Sequence, residues 1–162
     1  MALRKIRVEG DPILNKISKE VTAMTGRNKE LIEDMLDTMY DANGVGLAAP
    51  QIGVLKRIVV IDVSEEGDQP MVLINPVIEE MDGTQTGSEG CLSVPGKHGT
   101  VTRADHVICR ALDENMQERE IEGTDLLARA IQHELDHLEG IIYTSKVEGD
   151  IMDNSEEEEE AE

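Results

Sequence analysis

The sequence predicts an α+β domain, with antiparallel sheets packed around a central C-terminal helix. Two stretches carry apolar residues at helical spacing, one near each end of the chain. Between them lie several short β-type runs divided by polar turns. There is no internal repeat, so the order helix, strands, helix describes one mixed domain.

The elements follow in chain order. Asn28-Lys29-Glu30 opens a helix, with Asn28 as N-cap and Leu31, Ile32, Met35, Leu36 and Met39 at helical spacing. Asn43-Gly44 is its stop signal. Gly44 to Gly53 (GVGLAAPQIG) is too rich in Gly, Ala and Pro for a regular element and reads as a loop that something approaches closely. Ile58 to Val63 and Met71 to Ile78 read as strands, and Pro76 demotes the second to an edge or bulged strand. Thr84 to Cys91 is extended and polar, Val101 to Leu112 ends a strand pair, and Gln117 to Glu122 follows a turn. The second helix starts near Thr124-Asp125 and runs to Glu139, with a stripe of Leu127, Ile131, Leu135 and Leu138 flanked by Leu126 and Ala130. A short strand, Ile141 to Tyr143, closes the domain at residue 147. Residues 148–162 read as an acidic, disordered tail.

Composition narrows the function. The 162 residues include no Phe and no Trp, so Ile, Leu, Val and Met must fill the core. The net charge is −20; nine acidic residues and no Lys or Arg lie from Glu148 onward, and the rest of the chain still carries −11. Such a surface repels phosphate backbones and anionic lipid, which argues against direct nucleic-acid or membrane binding. The start, MALRKIRVEG, has no apolar signal segment, and no stretch approaches transmembrane length. A cytoplasmic protein is expected, with Cys91 and Cys109 as free thiols.

The strongest chemical signal is Gln132 to Gly140 (QHELDHLEG). His133 and His137 are i and i+4, so both rings leave one helix face one turn apart and can chelate a divalent metal. Glu134 lies where its carboxylate can act as general base on a water. A catalytic metal needs a third protein ligand. Glu139 points away from the two histidines, which leaves Cys91 and Cys109 as soft donors from upstream. Cys109 alternates with Val107 and Ala111 and reads as a core residue. Cys91, beside Gly90 in a polar segment, can bring a thiolate to a metal. A metalloprotease built on the same helix motif and a non-catalytic metal-binding module remain alternatives.

Three segments, Gly44 to Gln51 (GVGLAAPQ), Glu89 to Ser93 (EGCLS) and Gln132 to His137 (QHELDH), resemble the peptide deformylases in order and spacing, over about residues 3 to 147. The resemblance implies a hydrolase that removes the formyl group from the N-terminal formyl-methionine of nascent polypeptides. It implies Cys91, His133 and His137 as metal ligands, Glu134 as base, and the Gln51 amide with the Leu92 backbone N–H as oxyanion donors. Gly44, Val45, Gly46 and Gly90 would lie along the substrate; Leu126, Arg129 and Ala130 would line the methionine pocket; Glu89 and Arg103 would form a supporting ion pair. One divalent metal per chain is implied, Fe2+ in the cell and Zn2+, Ni2+ or Co2+ in purified protein. Arg129 stands where the family has an apolar residue; the expectation is that its stem lines the pocket while its head reaches water. The basic ribosome-docking C-terminal helix of many bacterial members is replaced by acid, so weak or no ribosome docking by that route is expected, as is a monomer. Tail-less members occur among phage-encoded deformylases, so the expected setting is the cytosol of a bacterium, phage-infected or not.

Overall fold

In the computed structural model, which describes residues 2–154, helix α1 spans Gly26–Asp41. Its N-cap is Thr25, not Asn28: the Thr25 hydroxyl accepts the Asn28 N–H at 3.1 Å. Asn28 is buried in the first turn, donating to the Ala23 carbonyl at 2.9 Å and accepting from Lys56 Nζ at 2.5 Å. Asn43 takes the left-handed conformation after the helix (φ 57°), and the Gly44 N–H returns to the Met39 carbonyl.

The small-residue segment that follows is regular after all. Gly46–Ala48 forms strand β1, paired antiparallel with β2 (Ile58–Ile61), and Ala49–Ile52 forms a 3-10 turn. Strand β3 (Met71–Asp82) is bulged as Pro76 requires, with a register shift between Ile74 and Val77, yet it is a central strand. Asn75 makes this possible: it adopts φ 50°, and its side chain bonds the Val21 N–H and carbonyl at 2.8 Å each.

Strands β4 (Gln85–Cys91), β5 (Val94–Arg103), β6 (His106–Leu112) and β7 (Glu118–Thr124) precede helix α2 (Asp125–Leu138). The strand expected at Ile141 to Tyr143 is absent; this stretch turns at Gly140 and leads into a 3-10 turn, Tyr143–Lys146. Ile142 and Tyr143 are consecutive and both buried, which an alternating strand does not allow. The expected disordered tail is also corrected in part. Residues 148–153 form strand β8 (Glu148–Asp153), paired with β5 through Lys97–Asp153, His98–Met152 and Thr100–Glu148. The backbone bonds and a 2.7 Å bond from Thr102 Oγ1 to Glu148 outweigh the acidic composition. The remainder of that expected tail lies outside the described residues.

The strands form a five-stranded antiparallel sheet, β1-β2-β3-β6-β7, and a three-stranded sheet, β4-β5-β8. The first sheet is covered on both faces. Ile58 and Val60 pack with Leu31, Met35 and Met39 of α1, while Val59 and Ile61 pack with Ala128, Ile131 and Leu138 of α2. This explains why β2 is an unbroken apolar run. A third cluster, Leu14, Val94, Val101, Ile142 and Tyr143, lies against the second sheet. Helix α2, which carries the paired histidines, is therefore held from behind by the first sheet and faces the end of β4.

Candidate active site

The helix places His133 and His137 on one face, as their spacing predicts, and the end of β4 brings Cys91 to them. One donor atom from each of Cys91, His133 and His137 lies within 4.8 Å of the others. Cys91 Sγ is 3.4 Å from His137 Nε2 and receives the Ser93 backbone N–H at 3.4 Å. His133 donates its Nδ1 proton to Glu89, which turns Nε2 inward. Cys109 is fully buried beside Val107 and Ala111, and burial pushes its thiol up to about 11; it is a core residue.

The donor set fits a divalent metal. Burial disfavours a charged ring at both histidines. At His137 it prevails, aided by repulsion from His133, and the pKa falls to about 3. At His133 the hydrogen bonds with Cys91 and Glu89 prevail, and it rises to about 10. A sulfur and two ring nitrogens thus converge on one point, with both histidines buried, as the ligands of a shared cation would. A soft thiolate with two imidazoles suits Zn2+, Fe2+, Co2+ or Ni2+ better than Mg2+ or Ca2+.

Glu134 is buried at the floor of the cleft, with Oε1 unpartnered among the described residues. Burial raises its carboxyl to about 7, the range of a group that takes up and releases a proton at neutral pH. Gly46 gives it room: a Cβ there would sit 2.6 Å from Glu134 Oε2. Gln51 is clamped from both ends. Its Oε1 accepts the Ala48 N–H at 2.9 Å, and its Nε2 donates to Ser93 Oγ at 3.0 Å and lies 3.5 Å from Cys91 Sγ. Its amide N–H groups are therefore aimed at the donor cluster.

Behind the site, Glu89 accepts from Arg103 Nη2 at 2.6 Å and Nε at 2.8 Å, besides His133. Burial alone would raise its carboxyl, but the bonds from His133 and Arg103 outweigh it and hold the pKa well below the usual carboxylate range. Arg103 also reaches Asp136 at 2.9 Å. The head of Arg129 does not reach water as expected. The residue is 7% exposed, its Nη1 donates to Glu89 Oε2 at 2.7 Å, and its Nη2 donates to the Val101 carbonyl at 3.1 Å. The Glu89 carboxylate and a strand carbonyl within hydrogen-bond reach hold the guanidinium inward.

A cleft of about 500 Å³ opens over these groups. Gly44, Val45, Gly46, Gln51, Gly90, Leu92, Leu126, Arg129 and Ala130 line it with Glu89, Cys91, His133 and Glu134. Val45 and Leu126 are exposed at its mouth (45% and 50%). Sequence reasoning missed Ser93, which holds Gln51, and Asp136, which anchors Arg103. Both sit inside the recognised motifs, so only their roles were hidden. It also missed Lys97 and Asn154 at the cleft wall, because Asn154 follows a strand read as tail.

Comparison with known proteins agrees with this geometry. Residues 3–151 match the model of the polypeptide deformylase family. A peptide deformylase of Agathobacter rectalis is 64% identical over 153 residues, covering 94% of this chain and 95% of its own length. One from Lachnoclostridium phytofermentans is 59% identical over 162 residues, 100% of this chain and 99% of the relative. The crystal structure of a Legionella pneumophila peptide deformylase superposes with a TM-score of 0.88 at 47% identity, covering 91% of this chain and 87% of that one. With the family model spanning nearly the whole folded chain and relatives this similar along their full length, the chain belongs to the polypeptide deformylase family.

Proposed function

We propose that this chain hydrolyses the N-formyl group of formyl-methionine at the start of nascent polypeptides, releasing formate and a free amine. The observation that carries the reading is the convergence of Cys91, His133 and His137 beside a buried Glu134 and an oriented Gln51 amide in one cleft. Cys91, His133 and His137 would hold one divalent ion, whose Lewis acidity would acidify water and polarise the formyl carbonyl. Glu134 takes the proton of the attacking water at its unpartnered Oε1 and later delivers it to the leaving amine as the C–N bond breaks. Gln51 Nε2 and the Leu92 backbone N–H donate to the oxyanion that develops on the formyl oxygen. Gly44, Val45, Gly46 and Gly90 let a peptide backbone lie close to the wall, and Leu126, Ala130 and the stem of Arg129 meet the methionine side chain.

The test is formate release from formyl-Met-Ala-Ser by protein purified without oxygen or loaded with Ni2+, beside a Glu134→Ala control. Release that disappears in the control is the expected result; inactivity at full metal occupancy would favour a binding module instead. Fe2+ is the ion proposed for the cell, and oxygen-free purification followed by elemental analysis would detect it at about one per chain.

The catalytic unit is proposed to act as a monomer in the bacterial cytosol. Among the described residues no helix is long and apolar enough to cross a membrane. The acidic C-terminal segment should repel ribosomal RNA, so docking by that route is weak or absent. Tight, salt-sensitive cosedimentation with ribosomes would refute this.

A further inference from the structure

We propose that Arg129 is a positioning residue of the metal centre: it ties helix α2 to the sheet carrying Cys91 and fixes Glu89 against His133. The inference rests on the metal-centre reading above. The three donors come from two separate bodies of structure. His133 and His137 ride on α2, whose apolar face packs with the five-stranded sheet. Cys91 ends β4 in the three-stranded sheet. Among the described residues, no side chain of α2 belongs to the buried apolar cluster against that second sheet. Besides the stacking of His133 on Tyr143 (ring centroids 5.9 Å apart), the distance from Cys91 to the histidines is therefore set by polar bonds across the gap.

Among the described residues Arg129 supplies three of them, more than any other side chain of the helix. Its Nη1 bonds Glu89 on β4 at 2.7 Å, and its Nη2 bonds the Val101 carbonyl of β5 at 3.1 Å and reaches the Gln85 carbonyl of β4 at 3.5 Å. One side chain of the helix thus grips both strands that frame Cys91. Arg103 also grips Glu89, but from β5, so that fork orders the sheet within itself; among the described residues its one bond to the helix is to Asp136. Glu89 in turn receives Nδ1 of His133. A carboxylate held against the helix by Arg129 keeps the imidazole plane fixed, and such outer partners tune the affinity of a metal ligand. Gly87 leaves the berth open: a Cβ there would lie 3.6 Å from Arg129 Nη2, so any side chain beyond a methyl would compete with the guanidinium.

The experiment measures Co2+ binding to full-length parent, Arg129→Met and Arg129→Lys by competition titration, with the visible absorption spectrum of each Co2+ form. Thermal melting of the metal-free proteins is recorded alongside. The expected result is a Kd about 10- to 100-fold weaker for Arg129→Met, with altered d–d bands. Arg129→Lys should shift the same way by less, because one ammonium cannot reach Glu89 and two carbonyls together. A Kd within about threefold of the parent and an unchanged spectrum overturn the proposal, whatever the melting temperature does, since a merely structural brace would lower stability alone. If Arg129→Met does not fold, Arg129→Lys decides by the same criteria. Parent protein that takes up no Co2+, or uptake that His133→Ala leaves intact, overturns the metal centre itself and the positioning role with it.

Discussion

Gly46→Ala should abolish most of the activity while leaving the fold standing, because the three atoms nearest the new methyl all belong to Glu134, the proposed base. A Cβ at residue 46 would lie 2.6 Å from Glu134 Oε2, 2.9 Å from its Cδ and 3.0 Å from its Cγ. To regain ordinary contact at 3.4 Å, the carboxylate must retreat by about 0.8 Å. The atoms that move are the far end of a flexible side chain, so relaxation is cheap, and Gly46 needs no left-handed backbone. The chemistry is less forgiving. A misplacement of about 1 Å can cost about 100-fold in rate, which is about 2.7 kcal/mol of transition-state stabilisation. The assay is initial-rate formate release from formyl-Met-Ala-Ser with Ni2+-loaded protein, with Ni2+ content and melting temperature measured in parallel. The expected outcome is a kcat at least about 30-fold lower with metal content unchanged. A kcat within threefold of the parent would show that Glu134 does not need the space Gly46 leaves, and the assignment of its carboxylate as base would fail.

Ser93→Ala removes the hydroxyl that holds Gln51 Nε2 at 3.0 Å; kcat should fall by about 10-fold with little change in KM, and the loss should not add to that of Gln51→Ala. Full additivity in a double-mutant cycle would separate the two residues. Iodoacetamide should label Cys91 in metal-free protein and spare Cys109, whose thiol is fully buried and raised to about 11; mass spectrometry after digestion identifies the labelled peptide, and equal labelling would contradict the burial. Burial works against the charged Asp34 carboxyl, but the Ala2 N–H and Arg4 Nε, each at 2.8 Å, hold its pKa below 3.8. The group binds its proton more weakly folded than unfolded, so its stabilisation is complete above about pH 4 and disappears as pH falls through the folded value. The melting-temperature gap between parent and Asp34→Asn should be constant from about pH 5 to pH 7 and shrink toward pH 3; a gap undiminished at pH 3 would refute the ion-pair account.

What could be read along the chain is what local geometry dictates. The i, i+4 spacing of His133 and His137 places two rings on one helix face whatever surrounds the helix, and Glu134 follows from its place beside the first. The periodicity of Leu31 to Met39 and of Leu127 to Leu138 likewise specified both helices, with ends shifted by a few residues because Thr25, not Asn28, takes the cap. The mixed α+β class and Cys109 in the core also followed from pattern alone.

Other features were decided only by long-range contacts. Pro76 signalled a bulge, but whether β3 lay at an edge or in the centre depended on β6, some 30 residues on, pairing beyond it. Residues 148–153 read as a solvated acidic run, since composition cannot register the free edge of β5 that accepts them as a strand. The head of Arg129 turned inward because Glu89 and the carbonyl of Val101, both remote in sequence, converge on it. Helix and turn geometry act over a few residues and are written in residue order. Strand pairing and the neutralisation of buried charge join residues separated by tens of positions, and those belong to the tertiary structure.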